Sequence, residues 1–253
     1  MARSQLLGFA LVSLAGCGDA ARDAPDAGAD APVVDASPPP VMASGTVVEA
    51  AGSAPLAGAR VCLPDAPAIP CATTDANGAY QIALPPWTTE IDLAVNVTAA
   101  GHLGFTGLTH QTTIGVVWFG EIPLMDDAAA SAMLHAQAGF AYPAPGKAFV
   151  LFSVFRASGG AATGATATLS PASGSGPVYA QPSGTLDPTL AATTTNGYLV
   201  FGGVTPGKLS IAVAGVPCTP VALSAGAWAG PTPGTVAGEA AANSMTRMTA
   251  ICQ

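Results

Sequence analysis

The chain has 253 residues, of which 50% are hydrophobic and only 9% charged, and seven Lys and Arg against fifteen Asp and Glu leave a formal charge of −8. Cations so few and so scattered exclude a nucleic-acid partner, because phosphate binding needs clustered Lys and Arg. Gly (30) and Pro (23) predict many turns while staying below the share that marks a disordered or collagen-like polymer, and the length suits one or two domains with a sizeable core.

The first element in chain order is an export signal over residues 1–16. Arg3 supplies a positive start, and Leu6 to Leu14 form an apolar stretch too short to stay in a bilayer as a helix. Leu14-Ala15-Gly16-Cys17 follows at once. These four residues resemble the lipobox of bacterial lipoproteins, and the resemblance implies a diacylglyceryl group on the Cys17 sulfur and cleavage before Cys17. Acyl chains contribute about 0.8 kcal/mol per buried CH₂, so such a protein is anchored to its membrane without spanning it. Gly18, not Asp, follows Cys17, which under the sorting rule best known for enterobacteria implies the outer membrane or cell surface.

Residues 17–42 read as a disordered Asp/Ala/Pro stalk behind the lipid. Asp19, Asp23, Asp26, Asp30 and Asp35 are five of the fifteen acidic residues, and Pro38-Pro39-Pro40 follows them. Nothing there builds a core, and repulsion with polyproline stiffness extends the segment to about 75 Å at ~3.1 Å per residue.

Residues 43–125 read as a β module. Gly45-Thr46-Val47-Val48-Glu49 is a strand, Gly52-Ser53-Ala54-Pro55 turns, and Leu56 to Leu63 resumes as a strand. Thr73-Thr74-Asp75-Ala76-Asn77-Gly78 turns again into Tyr80, Ile82 and Leu84 at alternate positions, and Ile91 to Val97 is a fourth strand. Gly45 and Val47, Pro55 to Val61, then Thr74, Asp75, Gly78 and Tyr80, and finally Leu93 to Gly101 resemble, in order, the pattern of the carboxypeptidase regulatory-like domain. The resemblance implies a small transthyretin-like β-sandwich that serves as an accessory domain without catalytic residues.

Residues 126–145 read as a short helical connector, capped by Asp126-Asp127 and ended by Gly139, with Met133 and Leu134 as packing residues. Residues 146–253 repeat the grammar as a second, divergent β-sandwich. Phe149 to Phe155 is a strand, Thr163 to Leu169 matches the Gly-Ala strand, and Thr193-Thr194-Thr195-Asn196-Gly197 repeats the turn. Leu199 and Phe201 take the places of Tyr80 and Ile82, Leu209 to Val213 closes the module, and about Ser170 to Ala192 is an insertion. The predicted fold class is all-β: two transthyretin-like sandwiches after a signal peptide and a stalk.

Beyond Cys17, four cysteines remain, an even number in an oxidising compartment, and one pair falls in each module. Of the three connectivities that four cysteines allow, Cys62 with Cys71 and Cys218 with Cys252 is favoured. His102, His110 and His135 lack the spacing of metal ligands, so neither a metal nor another cofactor is expected; the first two fall in what reads as a strand-to-loop region. No nucleophile elbow, phosphate loop or dinucleotide fingerprint occurs, and no catalytic residue is assigned.

Carboxylates paired by the fold are the rival reading, an envelope hydrolase, with Glu49, Asp65, Asp75, Glu90, Asp92, Glu121, Asp187 and Glu239 as the candidates. Trp118, in the apolar run from Gly115 to Phe119, reads as a core residue, whereas Trp87 and Trp228, beside Pro- and Gly-rich loops, are the candidates for stacking on a ligand. The functional expectation is a non-enzymatic envelope lipoprotein that holds the membrane through its lipid and binds polysaccharide or an envelope protein. A structural spacer without ligand is the third reading.

Overall fold

The computed structural model describes residues 40–85, 90–111, 117–218 and 226–252. Cys17 and Trp87 lie outside them, as does the stalk apart from residues 40–42. The chain from Pro38 to Gln253 forms a single unit, and its described residues are all-β apart from one short helical segment.

Among the described residues seven strands come first: β1 (Val41–Glu49), β2 (Arg60–Cys62), β3 (Ala72–Thr73), β4 (Ala79–Leu84), β5 (Ile91–Thr98), β6 (His102–Gln111) and β7 (Val117–Asp126). β1 pairs antiparallel with β4 and parallel with β7, while β5 pairs antiparallel with β2 and β6. Alternation along the strands turns Val47, Tyr80, Ile82, Leu93, Val95 and Ile122 into one apolar core. Asp75 starts β4 by accepting the backbone N–H groups of Asn77 and Ala79, at 2.8 and 2.9 Å.

Nine strands among the described residues follow the helical segment: β8 (Ala148–Arg156), β9 (Thr166–Ser170), β10 (Ser175–Ala180), β11 (Leu186–Asp187), β12 (Tyr198–Val204), β13 (Gly207–Ala214), β14 (Trp228–Ala229), β15 (Thr235–Ala240) and β16 (Ser244–Cys252). Their pairing repeats that of the first copy. β8 lies antiparallel to β12 and parallel to β16, and β13 lies antiparallel to β9 and β15.

A threonine clamp marks the repeat at atomic detail. Thr74 Oγ1 accepts from Ala59 N (2.9 Å) and donates to Leu56 O (2.7 Å); Thr193 Oγ1 accepts from Ala165 N (2.8 Å) and donates to Ala162 O (2.6 Å). Val47 N donates to Gly78 O as Val154 N does to Gly197 O. Both glycines hold positive φ, and a Cβ on either would strike the carbonyl of that same valine, at 2.3 and 2.8 Å. The turns written Thr-Asp-Ala-Asn-Gly and Thr-Thr-Thr-Asn-Gly are therefore one structural device.

The copies differ at one sheet. The insertion after Ser170 forms β10 and β11, which extend the second copy past β12. The helix α1 (Asp127–Ser131), capped by the Asp126 carboxylate on Ala129 N at 2.7 Å, runs on as a π-helical turn, Ala132–Gln137. Leu134, Ala138 and Phe140 pack there on Phe149, Val178, Val200 and Met245, the outer side of the β8-β12 sheet.

The first strand begins at Val41, inside the expected stalk, and the strand expected from Leu56 to Leu63 is confined to Arg60–Cys62. His102 to Gln111 is a full strand, not a strand-to-loop region. Gly104 and Gly107 mask its alternation, and Gly104 is needed because a Cβ there would lie 2.9 Å from Asn243 O, where β16 joins β6 in parallel.

Candidate functional site

The outer face of β4, β1 and β7 is built by strand register. Ser44 lies between Gln81 and Trp118, and Thr46 lies between Ala79 and Glu121. A bulge at Phe119 and Gly120, the latter with φ of +73°, restores alternation after Trp118, so that Ile122 and Leu124 point into the core. Trp118 is 61% exposed, the only large hydrophobic side chain among the described residues to stand so far in solvent.

This corrects the reading of Trp118 as a core residue. The run Gly115 to Phe119 looks uniformly apolar, but in a strand with period two Val117 takes the inner position and its successor the outer one. Trp228 moves the opposite way and is removed from the ligand-stacking candidates: it is 7% exposed, and its indole Nε1 donates to Thr109 O at 3.1 Å. Pairing of β14 with β15 draws it under β6 despite its Gly-rich neighbours.

The second copy has a different outer face. Leu151 lies between Val200 and Arg247 where the first copy has Ser44 between Gln81 and Trp118. That face is apolar and carries the helical connector, with Phe140 pressed so closely on Gly202 that a Cβ there would fall 2.3 Å from the ring.

The other candidates are engaged internally. His102 Nε2 meets Glu49 Oε2 at 3.0 Å and its Nδ1 meets Ala100 O at 2.9 Å; burial opposes protonation, but these partners outweigh it and raise the pKa. His110 lies 2.8 Å from Asp92 and 3.7 Å from Glu90, and His135 Nδ1 lies 3.0 Å from Phe140 O. Asp187 accepts from Thr189 and Gln181, which hold its carboxyl below the usual range. Among the described residues no three His, Cys, Asp or Glu side chains gather as a metal site.

Asp65 and Glu239 are brought together from different copies. Glu239 on β15 is pushed up to about 7, first by burial and then by its hydrogen bond with Asp65. Its Oε2 is shielded from solvent and has no hydrogen-bond partner of its own. Cys62–Cys71 and Cys218–Cys252 form the two disulfides, one tying the loop that carries Asp65 and the other tying the end of β16.

A groove of about 300 Å³ runs where β7 and β16 diverge from β6, lined by Phe105, Leu108, Phe119 and Thr249 with Glu121 and Arg247 also on its walls. No helix among the described residues is long and apolar enough to cross a membrane.

No protein-family model and no curated protein matches the chain. Among solved structures it is similar to the Bacillus anthracis TIE protein, at 14% identity and a TM-score of 0.28 over 85% of this chain. It is similar also to a streptococcal ancillary pilin, at 13% and 0.25 over 87%, and to the minor pilin of Streptococcus agalactiae, at 9% and 0.27 over 84%. The chain spans 34%, 63% and 96% of the lengths of these three proteins in turn.

Proposed function

We propose that this is a non-enzymatic, lipid-anchored envelope protein that displays its paired β modules for binding envelope material. The observation that carries the reading is Leu14-Ala15-Gly16-Cys17 directly after an apolar stretch of signal-peptide length. The acidic, Pro-rich residues up to 40 act as a spacer between that lipid and the first strand. The resemblance of residues 45–101 to an accessory β module agrees with display and not with catalysis.

The glycosidase version of the hydrolase reading loses support at its best pair. Glycosidase carboxyl groups stand about 5–9.5 Å apart to admit the scissile bond, whereas Asp65 and Glu239 hydrogen-bond to each other. The histidine-carboxylate contacts tie strands together, as Glu49 on β1 to His102 on β6.

Intact mass and membrane fractionation of the native protein beside Cys17→Ala test the anchor. A diacylated form beginning at Cys17, pelleting with membranes and released in the variant, is expected. A soluble, unlipidated native protein would overturn the reading.

A further inference from the structure

An exposed indole needs a reason, because burying so large an apolar group is worth about 2 kcal/mol or more. The fold does not require an aromatic residue there, since Arg247 takes the position of Trp118 in the second copy. Nor is the face shaped for an apolar cover like the helical connector. Where the second copy presents Phe149, Leu151 and Val200 to the connector, the first presents Met42, Ser44, Thr46, Gln81 and Glu121 with two alanines, Ala79 and Ala83, around the Trp118 indole.

The face is small. Three strands at ~4.8 Å spacing and about six residues at ~3.3 Å give about 300 Å², well under the ~800 Å² per partner of a standard protein interface. It suits two or three sugar rings. A pyranose offers an apolar C–H face to an indole and a rim of hydroxyls to neighbouring hydroxyl, amide and carboxylate groups. Glu121 is the charged side chain in the register rows around Trp118, and the chain carries −8 overall, so an anionic polymer is repelled.

We propose that the outer face of β4, β1 and β7 binds a neutral polysaccharide, with a pyranose ring stacked on Trp118 and its hydroxyls hydrogen-bonded by Ser44, Gln81 and Glu121. This deepens the display function above and rests on it. The aromatic group sets the affinity, and the polar side chains on the flanking strands set the orientation of the ring.

The test titrates the full lipidated protein in detergent micelles with neutral glucan, mannan and galactan hexasaccharides, by calorimetry and tryptophan fluorescence, with envelope cross-linking in parallel. At least one sugar should bind saturably. Trp118→Ala should weaken it roughly tenfold or more, Gln81→Ala less, and Trp118→Phe should restore part, all with unchanged unfolding midpoints. Equal binding by Trp118→Ala overturns the assignment of this face and leaves the display function standing. No binding of any neutral sugar, with an envelope protein cross-linked instead, overturns the ligand class. Failure of the anchor itself is read separately, in the Cys17→Ala fractionation.

Discussion

Thr74 and Thr193 each spend one hydroxyl twice, accepting a backbone N–H and donating to a backbone carbonyl in a buried turn. Thr→Val keeps shape and apolar area but leaves both backbone groups without a partner, so each substitution should cost about 1–3 kcal/mol. Urea unfolding of Thr74→Val and Thr193→Val checks this, and equal losses would measure the equivalence of the two copies. These residues were visible in the sequence as part of a turn pattern, but the clamp was not. It depends on Leu56 and Ala162 arriving from 18 and 31 residues away.

At the scale of elements, Asp65 in the loop after β2 meets Glu239 on β15 across the two copies and, after burial, helps to raise the affinity of Glu239 for its proton. Lys208, opposite Glu239 on β13, opposes the rise in its pKa without cancelling it. Because the folded pKa of Glu239 stands near 7 against 4.5 ordinarily, the folded state holds this proton more tightly, and stability falls as pH rises between those values. His102 has the same sign: its raised pKa adds stability below its ordinary value that is lost as pH climbs through the folded one. The thermal midpoint should therefore be higher at pH 5 than at pH 8. Glu239→Gln should raise the pH 8 midpoint by a few degrees, leave pH 5 nearly unchanged and flatten part of the slope; an unaltered slope would remove Glu239 from its cause.

On the scale of the whole molecule, β16 pairs with β8 over eight residues and with β6 over three, so the last strand belongs to the second copy and borders the first. Cys218–Cys252 ties that strand, across a separation of 34 residues against 9 for Cys62–Cys71. In the chain-entropy model the two loops are worth about 3.8 and about 2.6 kcal/mol. Denaturant unfolding of the Cys218→Ala/Cys252→Ala and Cys62→Ala/Cys71→Ala variants should show the larger loss for the former, in one transition, because β6 and β16 cannot separate without exposing both cores. The alternation of Tyr80, Ile82 and Leu84, the Asp126 cap and the repeated Gly turns were legible from the residues alone, because strand period, capping and positive φ are local properties. Which tryptophan meets solvent was decided by the tertiary structure: Trp118 by a bulge and the pairing of β7 with β1, Trp228 by a carbonyl on β6 more than a hundred residues away. The meeting of Asp65 with Glu239 has the same origin, since sequence records composition and period, whereas distance between remote groups exists only once the sheets have packed.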